Sequence, residues 1–272
     1  MMHSDPTTLQ SNEVADVAVD GVGGREYNKV AEAIVSHPAI QELDKFGSLL
    51  KDNPLDLDSR AAFLATCWPF FKTVAAGILI LSARITDELL ETDPWDAQPQ
   101  GAFILFASVD EYGLHQTNKF NQPHHILFKE LSEHLGVSTY HLASSDFVEH
   151  AGKAMGELSN RYYRDVSIGQ SLGFHLASEM VSSREFLYFL EGFQNHAEYY
   201  GLKDKNDPVL SFFKVHSIVE PMHAETGKKS LLYFLNRDPE MAGDVMEGAL
   251  AFMDGFDNMF KSINSRVFAP HA

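Results

Sequence analysis

In the stretch Phe213-Lys214-Val215-His216-Ser217-Ile218-Val219-Glu220-Pro221-Met222-His223, two histidines and a glutamate are spaced four and three apart, so a helix points all of them along one side. At roughly 100° per residue they fall within an arc of about 60°. The same stripe runs N-terminally through Phe213 and Val209, ordinary core positions, so His216, Glu220 and His223 stand where a helix normally carries apolar side chains. Buried imidazoles and carboxylates need partners, and a metal ion satisfies all three at once. Pro221 lies inside the motif, removes a backbone donor and crowds the carbonyl four residues earlier, which predicts a kink or loosening just before His223.

Outward from this segment, apolar periodicity is helical nearly everywhere and strand-like alternation is scarce, so the fold class is all-α. Helices are expected at 26–50, 59–91, 100–113, 123–136, 145–161, 167–200, 208–225 and 238–264, a bundle of seven to eight. The breaks are chemically marked. Asn53-Pro54, Asp93-Pro94, Gln122-Pro123, Asp207-Pro208 and Asp238-Pro239 each place a proline where a helix can begin but not continue. The last helix carries Val245, Met246, Ala249, Leu250, Met253, Phe256 and Phe260 on one broad stripe, the pattern of core packing. With no repeat or compositional shift after residue 25, the expectation is a disordered tail over 1–25 and one helical domain over 26–272.

The 272 residues, 44% of them hydrophobic, suffice for a substantial core. A formal net charge of −17 argues against nucleic-acid or anionic-membrane partners. The lone cysteine, Cys67, lies in an apolar run beside Trp68 and reads as a buried, reduced structural thiol. No signal-peptide pattern precedes the helices, and the strongest apolar run, Val74 to Leu81, is too short to span a bilayer; a cytoplasmic location is expected.

Two further helices offer inward polar groups. Glu179 lines up with Leu172, His175 and Phe186, which places a carboxylate among core residues. The apolar segment 102–113 ends in Asp110-Glu111, where the helix macrodipole disfavours uncompensated carboxylates and a cation would offset that cost. In the next helix His124, Phe128, Leu131 and Leu135 form the apolar face, while His125, Lys129 and Ser132 form the wet one. His115 competes as a partner for Glu111, and Asp110 competes with Glu111 itself.

The order Asp110-Glu111-x-Gly113, His124-x-x-Leu127-Phe128 with Leu135-Gly136, Glu179, and His216-x3-Glu220-x2-His223 resembles the haem-oxygenase-like di-iron oxidases and oxygenases. Glu220 stands where that family usually has Asp, and the interval from Glu111 to His124 is longer than is common. The resemblance implies a haem-oxygenase-like bundle in which Glu111, His124, Glu179, His216, Glu220 and His223 are both the metal ligands and the catalytic centre. It implies two Fe²⁺, with Mn as an alternative in one position, and O₂ as co-substrate. Three imidazoles and three carboxylates without thiolate suit iron or manganese better than structural zinc.

The activity implied is O₂-dependent oxidation of a small amino acid or amine by N-oxygenation, C–H hydroxylation, desaturation or C–C cleavage, in natural-product biosynthesis. Fatty-acid oxidation is the second choice. Expected partners are the small-molecule substrate, O₂ and an electron donor, with a homodimer allowed for. Arg161, Arg164, Arg184 and Lys214, near the ligand helices in sequence, are the candidates for holding a substrate carboxylate. The alternatives are a metal-free enzyme of the same fold, thiaminase-like or acting in quinone-cofactor biosynthesis, and a helical binding protein without redox activity.

Overall fold

The computed structural model describes residues 21–114 and 122–268, and they contain α-helices, two 3₁₀ turns and no strand. The helices are α1 (Val22–Ser36), α2 (Pro38–Asp52), α3 (Leu57–Leu90), α4 (Pro94–Glu111), α5 (His124–His134), α6 (Thr139–Ala143), α7 (His150–Arg164), α8 (Ile168–Asn195), α9 (Ser211–Arg237) and α10 (Ala242–Val267).

The all-α expectation stands, but the described residues hold ten helices rather than seven or eight. Two local features account for the excess. The span 26–50 is divided at Pro38, which opens α2 while His37 Nδ1 caps it by accepting from the Ala39 N–H at 3.2 Å. The short α6 forms ahead of α7 behind a capping box in which Ser138 and His141 satisfy each other's backbone groups. Helix α1 begins at Val22, inside the stretch read as a tail; residues 1–20 of that stretch lie outside the described residues. Helix α4 starts at Pro94, six residues before the expected position 100, because the Asp93-Pro94 pair is itself a helix start.

Helix α8 runs through the middle, packed on α9 and α10, while α3 packs on α4 and α7. Close approach of α8 and α10 depends on glycines: a Cβ on Gly173 would come within 1.9 Å of the Val245 carbonyl, and one on Gly248 within 1.9 Å of the Gln170 carbonyl. The core between the helices is aromatic, with the Phe46 ring in contact with those of Phe63, Phe189 and Phe260. Helix α3 is long and apolar enough to cross a membrane, but half of its most apolar window is buried in the bundle, the position of a core helix. Cys67 on α3 is fully buried, and burial, with the nearby charge of Glu185, pushes its thiol pKa well up.

Candidate metal centre

Four helices converge on one region. Glu111 is the last residue of α4, which Gly113 terminates in the left-handed conformation at φ 75°. Its N–H donates to the Asp110 carbonyl at 2.8 Å and that of Leu114 to the Val109 carbonyl at 3.1 Å, closing a Schellman motif that fixes Asp110 and Glu111 at the helix end. His124 is the first residue of α5, behind Pro123. Glu179 lies midway along α8, and His216, Glu220 and His223 lie on α9. The six side chains that sequence singled out are therefore brought together, and they divide into two triads whose candidate donor atoms lie within 4.8 Å of one another: Glu111, His124 and His216, then Glu179, Glu220 and His223.

In the first triad Glu111 Oε1 is 2.9 Å from His124 Nδ1 and 3.1 Å from His216 Nε2, and the two ring nitrogens are 3.1 Å apart. His216 Nδ1 donates to the Phe212 carbonyl at 2.7 Å, which aims Nε2 at the cluster, and Phe186 stacks on the ring at 4.1 Å. Burial opposes ionisation of Glu111, but the two imidazoles outweigh it and hold its carboxyl well below the usual carboxylate range. Burial likewise opposes charging of His216, yet Glu111 lifts its pKa to about 9.

In the second triad His223 Nδ1 faces Glu220 Oε2 at 3.3 Å and Glu179 Oε2 at 3.6 Å, while its Nε2 faces Asp110 Oδ2 at 3.3 Å. Asp110, left open as an alternative to Glu111, thus stands behind His223 and orients it, the relation that a metal-bound imidazole usually has with an outer carboxylate. His115, the other alternative, lies outside the described residues. Burial and then the charge of Glu179 push the Glu220 pKa up to about 8. For Glu179 burial is outweighed by His175 and His223, and its pKa falls to about 2. His175 itself lies 3.4 Å from Glu179 Oε1 and 3.3 Å from the Tyr163 hydroxyl.

The donor set fits a metal pair. All six side chains are buried or nearly so, they are hard or borderline N and O donors, and Glu179 Oε2 is buried without a hydrogen-bond partner. Glu111 and His216 of the first triad and all three members of the second line an inner cavity of about 30 Å³, room for an ion or a water. Glu111 and His216 also form the floor of an outer pocket of about 300 Å³. Its walls are Trp68, Phe71, Phe128 and Phe212, with Trp68 stacked on Phe128 at 4.9 Å, and its exposed rim carries Lys72, Tyr112 and His125.

The substrate-holding cations expected from sequence are not among the residues lining either cavity. Arg184 pairs with Asp44 at 2.7 Å on the surface, Arg161 lies over the Tyr162 ring, Arg164 ends α7, and Lys214 is exposed. Helix phase explains the two on ligand-bearing helices. Lys214 is offset from His216 by about 160° and Arg184 from Glu179 by about 140°. Lys72 is the cation that lines the outer pocket, and nothing in its sequence neighbourhood marks it. Glu185 was also missed; it lines the inner cavity with Ser178 and Ser182, and the i, i+4, i+7 spacing of these three polar residues on a core helix is the signal that could have found it.

The all-α bundle thus carries a buried double cluster of histidines and carboxylates, two groups that could each hold a metal ion. The family described as iron-containing redox enzyme matches residues 62–257, and the chain belongs to it. Among solved structures the fold is similar to a CADD-like protein of unknown function from Nostoc punctiforme, with TM-score 0.65 and 15% identity over 91% of this chain and 99% of that one. It is also similar to a domain of unknown function with a heme oxygenase-like fold from Shewanella denitrificans, with TM-score 0.56 and 13% identity over 88% of this chain and 89% of that one. No curated protein matches the sequence.

Proposed function

We propose that this protein is an O₂-dependent di-iron oxidoreductase acting on a small amino acid or amine with an apolar body. The observation that carries the reading is the pair of N/O triads, five of whose six members line one inner cavity, with the outer triad also flooring an aromatic pocket open to solvent. Glu111, His124 and His216 would hold the outer ion, and Glu179, Glu220 and His223 the inner one. Bound iron supplies O₂ activation and oxidising power that no side chain of this chain has. The chain's own residues do the rest. Asp110 and the Phe212 carbonyl hold the His223 and His216 rings in orientation; Phe186 and Phe106 cover those rings and keep water away.

The pocket favours a particular substrate shape. Aromatic walls take an aromatic or branched side chain, and Lys72 at the rim takes a carboxylate, so the substrate is oriented with its reactive carbon or nitrogen toward Glu111 and His216. Polar basic amino acids fit these walls poorly. Lys72→Met should raise KM for a carboxylate substrate about tenfold or more, the order of one charge-assisted contact. Iron content and the KM for the corresponding carboxylate-free amine should stay as in the parent; an unchanged KM for the carboxylate would remove Lys72 from substrate binding.

The reading is tested by anaerobic Fe²⁺ titration followed by O₂ uptake with a panel of apolar and aromatic amino acids and amines. Two irons per chain and uptake stimulated by a member of the panel are expected. Uptake of one ion only, or tight zinc without iron, would sink the paired centre. Absence of any metal uptake would favour the metal-free enzyme or binding protein.

A further inference from the structure

The inner cavity contains a carboxyl group that neither triad uses. Glu185 on α8 is 2% exposed, and its Oε1 is buried with no hydrogen-bond partner. A buried carboxyl oxygen without a partner destabilises the fold, and native proteins hold few of them without a reason. The surroundings of Glu185 supply one. It lines the same small cavity as Glu111, Glu179, His216, Glu220 and His223. Glu220 from one triad and His216 from the other are the charged groups that act on it, and both line this cavity with it. Ahead of Glu185, α8 lines the cavity with Ser178, Glu179 and Ser182, and the Ser182 hydroxyl is turned back onto the Ser178 carbonyl at 2.7 Å.

A triad offers three donors, whereas iron and manganese in N/O sites take more, up to an octahedral set. Bidentate carboxylates can supply part of the difference. An orphaned oxygen on the cavity that donors of both triads line is placed to supply more.

We propose that Glu185 is a further carboxylate ligand of the metal pair, offering its unpartnered Oε1 to the ions that the donors lining the inner cavity would hold. The inference rests on reading the two triads as a metal pair. It assigns Glu185 a role different from that of His175 and Asp110, which meet candidate donors but stand behind them.

The test uses the full chain with three proteins: wild type, Glu185→Gln and Glu185→Leu. Anaerobic Fe²⁺ calorimetry measures affinity, Co²⁺ absorption reports coordination number, and thermal unfolding without metal reports folding. Both variants should weaken metal binding by more than about 100-fold, beyond the 10–100-fold typical when a group that only supports a metal site is removed. Both should also change the intensity of the Co²⁺ ligand-field bands. The metal-free Glu185→Leu protein should unfold at or above the wild-type temperature, because an apolar group replaces an unpartnered polar one. Loss of metal affinity alongside retained or raised stability separates ligation from a structural role. Wild-type affinity and Co²⁺ spectra in Glu185→Gln, with two ions bound in the wild type, would overturn the assignment of Glu185 alone. Failure of the wild type to bind two ions would overturn the paired centre and this assignment with it.

Discussion

His124→Ala is expected to reduce bound iron from two ions to one and to abolish metal-dependent O₂ consumption, whereas His125→Ala should retain both ions. The two histidines are adjacent in sequence and about 100° apart on α5. His124 is 1% exposed with Nδ1 at 2.9 Å from Glu111 Oε1, while His125 is exposed on the pocket rim. Removing the His124 ring leaves only Glu111 and His216 in the outer triad. Loss of a group one shell further out typically costs 10–100-fold in metal affinity, so loss of a donor should cost more than about 100-fold. His125→Ala should change at most KM, because its ring lines the pocket without meeting the triad. Iron quantitation after anaerobic loading and gel filtration, with an oxygen electrode, decides between them. Retention of two irons by His124→Ala would mean that the outer triad is a hydrogen-bonded core cluster and not a metal site.

That contrast was legible in the sequence because α5 is amphipathic: the period that puts Phe128, Leu131 and Leu135 in the core puts His124 there as well. The same logic found Glu179, His216, Glu220 and His223, each a polar residue on an otherwise apolar stripe. Glu111 needed a different argument, from its place at a helix end beside Asp110. What periodicity could not give was the division into triads, which depends on how α4 and α5 meet α9. Neither could it give the direction of His223, whose Nε2 turns to Asp110 and whose Nδ1 turns to the carboxylates.

Pro221 shows where local reasoning was overruled. The helix was expected to end near residue 225, shortly after this proline, yet α9 continues to Arg237. Pro221 is exposed, and the carbonyl that loses its partner, that of Ser217, lies one turn back on the same face within reach of solvent. On the opposite face His216, Val219, Glu220 and His223 are buried against α8 and α4, and that packing carries the helix through. Lys72 was invisible for the converse reason. An exposed lysine on a long helix looks like any solvated charge until the neighbouring elements build a pocket against it.

Metal affinity should rise steeply with pH between about 6 and 8, because the metal-free site is held together by protons that an ion must displace. Glu111 Oε1 and His216 Nε2 lie 3.1 Å apart, a spacing at which a shared proton takes the central role. Against the cost of burial, Glu111 raises the His216 pKa to about 9, and burial followed by the charge of Glu179 raises Glu220 to about 8. Below these values both residues carry a proton, whereas a metal ligand must present a lone pair. Each displaced proton contributes about one log unit of affinity per pH unit, so a gain of about one to two log units per pH unit is expected below pH 8.

The stability of the metal-free protein should move the opposite way. A group whose folded pKa is raised stabilises fully below its unfolded value, and that contribution is lost as pH rises through the folded value. For His216 the loss falls between 6.5 and about 9, and for Glu220 between 4.5 and about 8, so both weaken the metal-free fold over the window in which metal binding strengthens. Glu179 and Glu111, with lowered pKa values, act only on the acid side and leave the sign unchanged. Calorimetric titrations with Fe²⁺ in two buffers of different ionisation enthalpy count the protons released, and thermal unfolding with and without metal across the same pH range gives the second slope. A metal affinity flat from pH 6 to 8, with no proton release, would show that the ion does not enter between these side chains.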